Sequence, residues 1–109
     1  MKLYVNELDK HINEEIEFSG FIDTIRDKKW VMFVILRDST GKLQMTIEKS
    51  EESNAKLLEI MANVSVESTV KITGKLVANE AVKLNGIELI PTNIEVTSHA
   101  ENLPFDFNN

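Results

Sequence analysis

The chain has 109 residues, of which 42% are hydrophobic and 28% are charged, a length and composition typical of one soluble globular domain. Its formal net charge of −6 argues against a general binder of polyanions, because non-specific affinity for nucleic acid comes from neutralising phosphates. The absence of cysteine excludes disulfides, thiolate nucleophiles and zinc–thiolate sites.

The first elements in the chain are predicted to be a short helical turn at residues 6–11 and a strand at residues 16–23, where apolar and polar residues alternate. Residues 30–37 are almost continuously apolar, and residues 42–48 alternate again. The turn signal at residues 38–41 joins these two strands into a hairpin. The side chains predicted to face inward are Ile16, Phe18, Ile22, Met32, Val34, Leu36, Leu43, Met45 and Ile47.

A helix follows the hairpin. Ser50 or Ser53 is the expected N-cap, and the helix is expected to end near Asn63. Its apolar stripe at helical spacing consists of Leu57, Leu58, Ile60, Met61 and Val64.

Two more strands complete the pattern. Residues 68–77 alternate with Val70, Ile72 and Leu76 inward, and residues 86–97 form a last strand that Pro91 is expected to bend or break. A tight turn is predicted at residues 84–86.

The order of three strands, a helix and two strands predicts an all-β fold. The predicted fold is a five-stranded OB-fold β-barrel with its helix between the third and fourth strands. Gly20 and Gly74, each in the middle of a strand, fit the sharp bends of a small closed barrel. We assign residues 1–100 to this nucleic-acid-binding domain and residues 101–109 to a C-terminal tail.

The chain also carries a net-basic stretch, residues 20–49, in which six lysines and arginines meet four acidic residues. A chance fluctuation explains so small an excess equally well. With Met32 and Leu43 inward, however, Phe33 and Gln44 face outward on one sheet face, with Arg26 at its rim. An aromatic ring, an amide and a guanidinium together can read an unpaired base. On pattern alone, Phe33 packing under a loop and Gln44 being merely solvated is equally plausible.

These residues belong to a longer pattern that resembles a known family. The pattern comprises Gly20-Phe21-Ile22, Arg26-Asp27, residues 33–38, Gly41 and Gln44, and continues with residues 67–70, Gly74, residues 86–89, residues 94–96 and Leu103-Pro104-Phe105. It covers nearly the whole chain and resembles the N-terminal anticodon-binding OB domain of class II aspartyl- and asparaginyl-tRNA synthetases. Lysyl-tRNA synthetases fit its spacing less well.

The resemblance implies roles for three residues. Phe33 matches the aromatic residue that stacks on the central anticodon base, Gln44 the residue that reads this base as uracil, and Arg26 the arginine that contacts it. The implied partners are a tRNA anticodon stem-loop and a class II catalytic domain. Aspartate, asparagine and lysine anticodons all have a central uracil, so the three residues do not identify the amino acid.

Further contacts are expected from two loops. In the family the loop before the last strand contributes, and Lys83 is the candidate here; Glu88 holds a family-like position but is more simply an ordinary strand carboxylate. The first hairpin loop, where the family often has a small residue, contains the basic candidates Lys28 and Lys29 and also Trp30. Trp30 is either a second stacking surface or a partly buried packing residue, and packing is favoured.

No catalytic residue, cofactor or metal is expected. The class II catalytic motifs are absent, and His11 and His99, expected at the surface, have no metal-ligand spacing. The tail resembles the hinge to a catalytic domain, so the chain is either one domain of a synthetase or a freestanding relative, and as an isolated domain it is expected to be a monomer. A freestanding relative is expected to have mobile Phe105 and Phe107.

Two other functions remain open. One is an OB domain for other single-stranded nucleic acid, and the other is a protein-interaction OB module, which the net charge of −6 suits. No apolar run approaches the roughly 18 residues of a membrane span, and no signal peptide is evident, so a cytoplasmic location is expected.

Overall fold

The structure is a computed structural model that describes residues 2–98. Within this range it contains the strands β1 (Lys2–Leu3), β2 (Glu15–Asp27), β3 (Val31–Asp38), β4 (Gly41–Glu48), β5 (Thr69–Ala78) and β6 (Ile87–Ser98). The α-helix α1 spans Ala55–Met61, and two 3-10 helices span Val5–His11 and Glu52–Asn54. The first 3-10 helix confirms the helical turn expected near residues 6–11. The predicted tail, with Phe105 and Phe107, and His99 lie outside the described residues.

The five long strands form a closed ring of pairings. β2 pairs with β3, β3 with β4, β4 with β6, β6 with β5, and β5 with β2. The long strand β2 makes this closure possible, because its first part pairs with β5 and its second part with β3. With α1 between the third and fourth long strands, this architecture confirms the predicted OB-fold.

Gly20 lies where β2 passes from one partner strand to the other. A Cβ atom at this position would overlap the carbonyl oxygen of Arg37 and lie 2.8 Å from the Phe18 ring. Gly74 is similar, since its Cβ would overlap the carbonyl oxygen of Ile90. Both glycines therefore allow close approach of neighbouring strands, as the predicted bends require.

The core lies inside the ring, and every strand residue predicted to face inward is buried. Phe18, at 0% exposure, is the largest of them. The helix adds buried Leu57 and Met61 from its predicted apolar stripe. Thr46 is also buried, although the alternation along β4, with Met45 and Ile47 inward, puts it on the outer face.

Two local predictions need correction. Neither Ser50 nor Ser53 caps α1; Asn54 is the N-cap residue, and its side chain instead donates to the Glu48 carbonyl, with 2.9 Å between Nδ2 and O, tying the helix start to β4. Of the two outcomes expected at Pro91, the break is wrong, because β6 runs continuously, whereas the irregularity in the β5–β6 register at the Gly74–Pro91 pair fits a bend.

The predicted turn at residues 84–86 is confirmed. Asn85 and Gly86 have φ values of 61° and 65°, and the Ile87 amide donates to the Leu84 carbonyl at 3.4 Å. Two successive residues with positive φ are the signature of a type I′ turn. No helix within residues 2–98 is long and apolar enough to span a membrane.

Candidate nucleic-acid interface

Two adjoining cavities lie on the outer face of β2, β3 and β4, where the loop at residues 79–86 borders them. The first, of about 380 Å³, is lined by Arg26, Phe33, Ile35, Gln44, Thr46, Glu48, Asn79, Ala81, Val82 and Glu88. The second, of about 550 Å³, is lined by Asp23, Thr24, Arg26, Ile35, Lys42, Gln44, Ala81, Lys83 and Leu84. Four residues, Arg26, Ile35, Gln44 and Ala81, line both cavities, which therefore form one continuous surface that we call the platform.

Strand register brings the three predicted residues together. Arg26 is the ladder partner of Phe33, and Gln44 is the partner of Ile35, two residues further along β3. Because side chains of a strand alternate between its faces, Phe33 and Ile35 share the outer face while Met32 and Val34 enter the core. Arg26, Phe33 and Gln44 thus line one cavity, and Phe33 is half-buried with its ring beside open space.

The amide of Gln44 is held in one orientation. Its Nε2 lies 3.3 Å from the Thr46 hydroxyl oxygen, to which it donates a hydrogen bond. Thr46 is buried and lines the same cavity beside Val82, which is also buried. The bond uses one of the two N–H groups of Gln44, so the other N–H and the carbonyl oxygen are left for a ligand.

The bordering loop is ordered by Asn79. Its Oδ1 accepts from the Ala81 amide at 3.0 Å, its backbone amide donates to the Gly86 carbonyl at 2.8 Å, and its Nδ2 donates to Glu88 Oε2 at 2.8 Å. Glu88 is the register partner of Gln44. Glu88, which the sequence favours as an ordinary strand carboxylate, lies on β6 and also lines the first cavity. The pairing of β6 with β4 brings it there, and local sequence patterns do not reveal that pairing.

The cations of the basic stretch, together with Lys83 of the bordering loop, divide into two groups. Three of them have carboxylate partners: Arg37 pairs with Asp23 and Glu67, Lys42 with Asp23 and Lys49 with Asp27. Within residues 2–98, no ion pair involves Arg26, Lys28, Lys29 or Lys83. Arg26 and Lys83 line the platform, and Lys28 and Lys29 lie in the adjoining hairpin loop. The formal charges that line the platform balance, because Arg26, Lys42 and Lys83 face Asp23, Glu48 and Glu88, so an anion would be bound by individual cations and not by a net positive charge.

Two ionised groups near the hairpin have a structural role. Arg37 lies with its guanidinium 4.9 Å from the Phe21 ring centre, and its hydrogen bond to Glu67 raises the pKa of the guanidinium. Hydrogen bonding from Thr24 is the main cause that lowers the pKa of Asp23, with Lys42 and Arg37 adding to it. In this cluster Arg37 and Lys42 pair with Asp23 and Glu67, and these ion pairs do not involve Arg26.

The first hairpin loop is exposed. Trp30 keeps 66% of its surface accessible, so the favoured prediction that it packs is wrong. The turn is tight, since the Lys28 amide donates to the Val31 carbonyl at 3.0 Å, and Trp30 lies in this turn, outside the strands that form the core. Within the described chain, Lys28, Lys29 and Trp30 line neither cavity and lie at the tip of the hairpin that carries Arg26 and Phe33, while Lys83 lines the second cavity.

His11 was expected at the surface without a metal. It is half-buried, with 23% of its side chain exposed, and its Nδ1 lies 3.0 Å from Glu14 Oε1. It therefore has a local structural partner at the end of the first 3-10 helix, away from the platform.

Comparison with curated proteins finds relatives among tRNA ligases. Over 103 residues the chain is 35% identical to an aspartate–tRNA(Asp/Asn) ligase of Hydrogenobaculum, covering 89% of the chain and 17% of the ligase. Over 94 residues it is 38% identical to that of Haloquadratum walsbyi, covering 85% of the chain and 21% of the ligase. The chain thus spans about a fifth of the length of these relatives.

Solved structures agree in fold. Asparaginyl-tRNA synthetase from Pyrococcus horikoshii has a TM-score of 0.79 at 24% identity, with 99% of this chain and 25% of that chain covered. An OBody bound to hen egg-white lysozyme has a TM-score of 0.82 at 23% identity, with 95% of each chain covered.

A family match completes the comparison. Residues 16–97 match the family described as the OB-fold nucleic acid binding domain, whose name refers to the tRNA anticodon. This range contains all the strands that form the closed ring except the ends of β2 and β6. Together with the ligase relatives, it confirms the resemblance to aspartyl- and asparaginyl-tRNA synthetases that the sequence indicated. The chain belongs to the family of OB-fold nucleic acid binding domains.

Proposed function

We propose that this domain binds the anticodon loop of a tRNA and reads uracil at its central position. The observation that carries the proposal is the single cavity shared by Arg26, Phe33 and Gln44. The ligase relatives support the choice of tRNA, since their names specify tRNA(Asp/Asn).

The Phe33 ring supplies the stacking surface. It lies on the outer face of β3, half-buried and bordered by the loop at residues 79–86, so a base that entered the cavity would be desolvated on the ring. Stacking of a base on an aromatic side chain contributes about 1–3 kcal/mol and is independent of base identity. Phe33 therefore provides affinity, and another residue must provide selectivity.

Gln44 provides that selectivity. Uracil presents one N–H donor between two carbonyl acceptors, which match the free Oε1 and the remaining N–H of the amide. Cytosine has an acceptor and an amino group at the corresponding atoms. With the amide fixed by Thr46, the acceptor of cytosine would face the Gln44 Oε1 acceptor and its amino group would face the Gln44 N–H donor. Arg26, a cation without an ion-pair partner within residues 2–98, binds a carbonyl oxygen of the base or its phosphate.

The domain itself performs no chemistry in this proposal. It orients the tRNA so that the acceptor end reaches a class II catalytic domain in the same or another chain, and it acts as a monomer. Its location is the cytoplasm, where the tRNA is charged.

The proposal is tested by titrating the domain into labelled anticodon stem-loops that differ only in central U or C and following fluorescence anisotropy. We expect tighter binding of the U loop. Equal affinities would overturn base reading and leave a general binder of single strands. Absence of binding even at low salt, where phosphate contacts are strongest, would favour the protein-interaction alternative.

A further inference from the structure

Trp30 is the only tryptophan of the chain, and most of its ring is in solvent. Aromatic side chains usually stabilise a fold by the large area that they bury. With 66% of its surface exposed, Trp30 adds little of this stabilisation. Stabilisation of the core therefore does not account for a tryptophan at this position.

The backbone under the ring is nonetheless held firmly. The Lys49 amide donates to the Trp30 carbonyl at 2.9 Å, and the Lys49 ammonium pairs with Asp27 across the same hairpin end. The Lys28 amide closes the turn on Val31. A large ring on a fixed turn is pre-organised, so little conformational entropy would be lost when a ligand contacts it.

Charge at the loop identifies the class of ligand. Lys29 Nζ lies 5.2 Å from the Trp30 ring centre, over one face of the ring, and 66% of the residue's surface remains accessible to a ligand. Neither Lys28 nor Lys29 has an ion-pair partner within residues 2–98. An exposed aromatic ring next to two available cations suits a nucleotide, which offers a base to the ring and a phosphate to the ammonium groups.

The loop is also close to the platform. Trp30 precedes Phe33 by three residues on the same hairpin, roughly 10 Å at the spacing of a strand, and it lies just outside β3, so the alternation of β3 does not assign its ring to either face of the sheet. Proteins that bind single strands commonly place successive bases on successive aromatic side chains. An anticodon loop whose central base lies on Phe33 would therefore bring a neighbouring base to the hairpin tip.

We propose that Trp30 is a second stacking surface, which holds an unpaired base adjoining the central base while Lys28 and Lys29 face its phosphate. The proposal rests on the proposed function, because it assumes that the central base lies on Phe33.

The sole tryptophan makes the test direct, because its fluorescence reports on Trp30 alone. The full chain is titrated with an anticodon stem-loop carrying central U, and tryptophan emission is followed beside the anisotropy of the labelled RNA. We expect quenching that saturates at the same Kd as the anisotropy. Abasic sites on both sides of the central U should remove the quenching.

Variants supply an independent readout. Trp30→Ala should weaken binding about five- to tenfold, near the lower end of the range for base stacking, and Trp30→Phe should restore most of the loss. Val66→Ala removes another exposed apolar side chain and should leave affinity unchanged. Thermal melts confirm that each variant is folded.

The two proposals fail in different ways. RNA binding that depends on Phe33 but leaves the emission and the Trp30→Ala affinity unchanged would overturn the second stacking surface alone. Unchanged quenching with the abasic loop would also overturn it. Absence of any RNA binding would overturn the proposed function and this inference together.

Discussion

Arg26 on β2 and Phe33 on β3 are direct partners in the antiparallel ladder, so a cation and an aromatic ring stand side by side on the outer face of the sheet. Residues directly opposite in such a ladder have Cβ atoms about 4.5–5.5 Å apart. The two side chains are therefore held by the sheet where both can contact one nucleotide. Binding of RNA should depend on each of them.

Phe33→Ala should weaken binding of the U stem-loop by about 1–3 kcal/mol, because the stacking surface is lost. The ring is only half-buried, so the variant should still fold. Phe21→Ala, which removes an aromatic ring that is 40% exposed and outside the platform, is the matched control. Isothermal titration calorimetry on the three proteins measures the difference, and equal losses in both variants would contradict a specific role for Phe33.

Arg26→Gln should lower the dependence of affinity on salt. If Arg26 neutralises one phosphate, the slope of log K against log salt should fall by about 1. Lys71→Gln is the control, since Lys71 is 3.7 Å from Glu17 and outside the platform. Affinities measured over a range of salt concentrations give both slopes. An unchanged slope with weaker binding would assign Arg26 to a base carbonyl instead.

Gln44→Ala should reduce the preference for central U over C, because the amide that pairs with the base is gone. A well-placed pair of hydrogen bonds discriminates by about 1–3 kcal/mol, and most of that preference should disappear. Thr46→Val keeps the shape of the neighbour but removes the acceptor that orients the amide. This second variant should lose part of the preference, and competition between U and C loops measures both. Full retention of the preference in Gln44→Ala would disprove the assignment.

The inward residues and the outward positions of Phe33 and Gln44 were predictable from sequence, because both follow from the period of two along single strands. Arg26 was expected at the rim of this face and lies within β2, which extends beyond its predicted end to Asp27. Phe33 faces outward for the same reason that Met32 and Val34 face inward. The burial of Thr46 was not predictable from the alternation along β4, since Thr46 lines a cavity that is bordered by a loop distant in sequence. The exposure of Trp30 was missed for a related reason: hydrophobicity predicts burial only where another element is available to cover the side chain.

Gly20→Ala should destabilise the fold by about 1–3 kcal/mol, as overpacked sites typically do. The added methyl group would meet the carbonyl oxygen of Arg37 and the ring of Phe18, and backbone cannot move away easily. Ser19→Ala, at the adjacent position of β2, should change stability much less. Urea denaturation measures both, and similar midpoints would contradict the close approach of the strands.

Asp38 ties the β3–β4 turn to the beginning of the chain. Its Oδ1 accepts from the Thr40 amide and hydroxyl, both at 2.7 Å, and from the Gly41 amide at 3.1 Å, while its Oδ2 accepts from the Val5 amide at 2.9 Å. Burial alone would raise the pKa of this carboxyl, but the hydrogen bonds outweigh it and lower the pKa below its usual value.

The stability of the protein should therefore depend on pH through Asp38. An unfolded aspartate has a pKa of about 3.9, so below that value the unfolded state binds the proton more readily than the folded state. The contribution of Asp38 is complete above about pH 5, declines as the pH falls through the unfolded pKa, and is lost once the pH has fallen through the lowered folded pKa. Asp38→Asn should lower the free energy of unfolding at pH 7 by about 1–3 kcal/mol, and this difference from the parent should shrink in acid. Asp9→Asn, at an exposed position, is the control, and a difference that stays constant down to pH 3 would show that the charge of Asp38 is not its source.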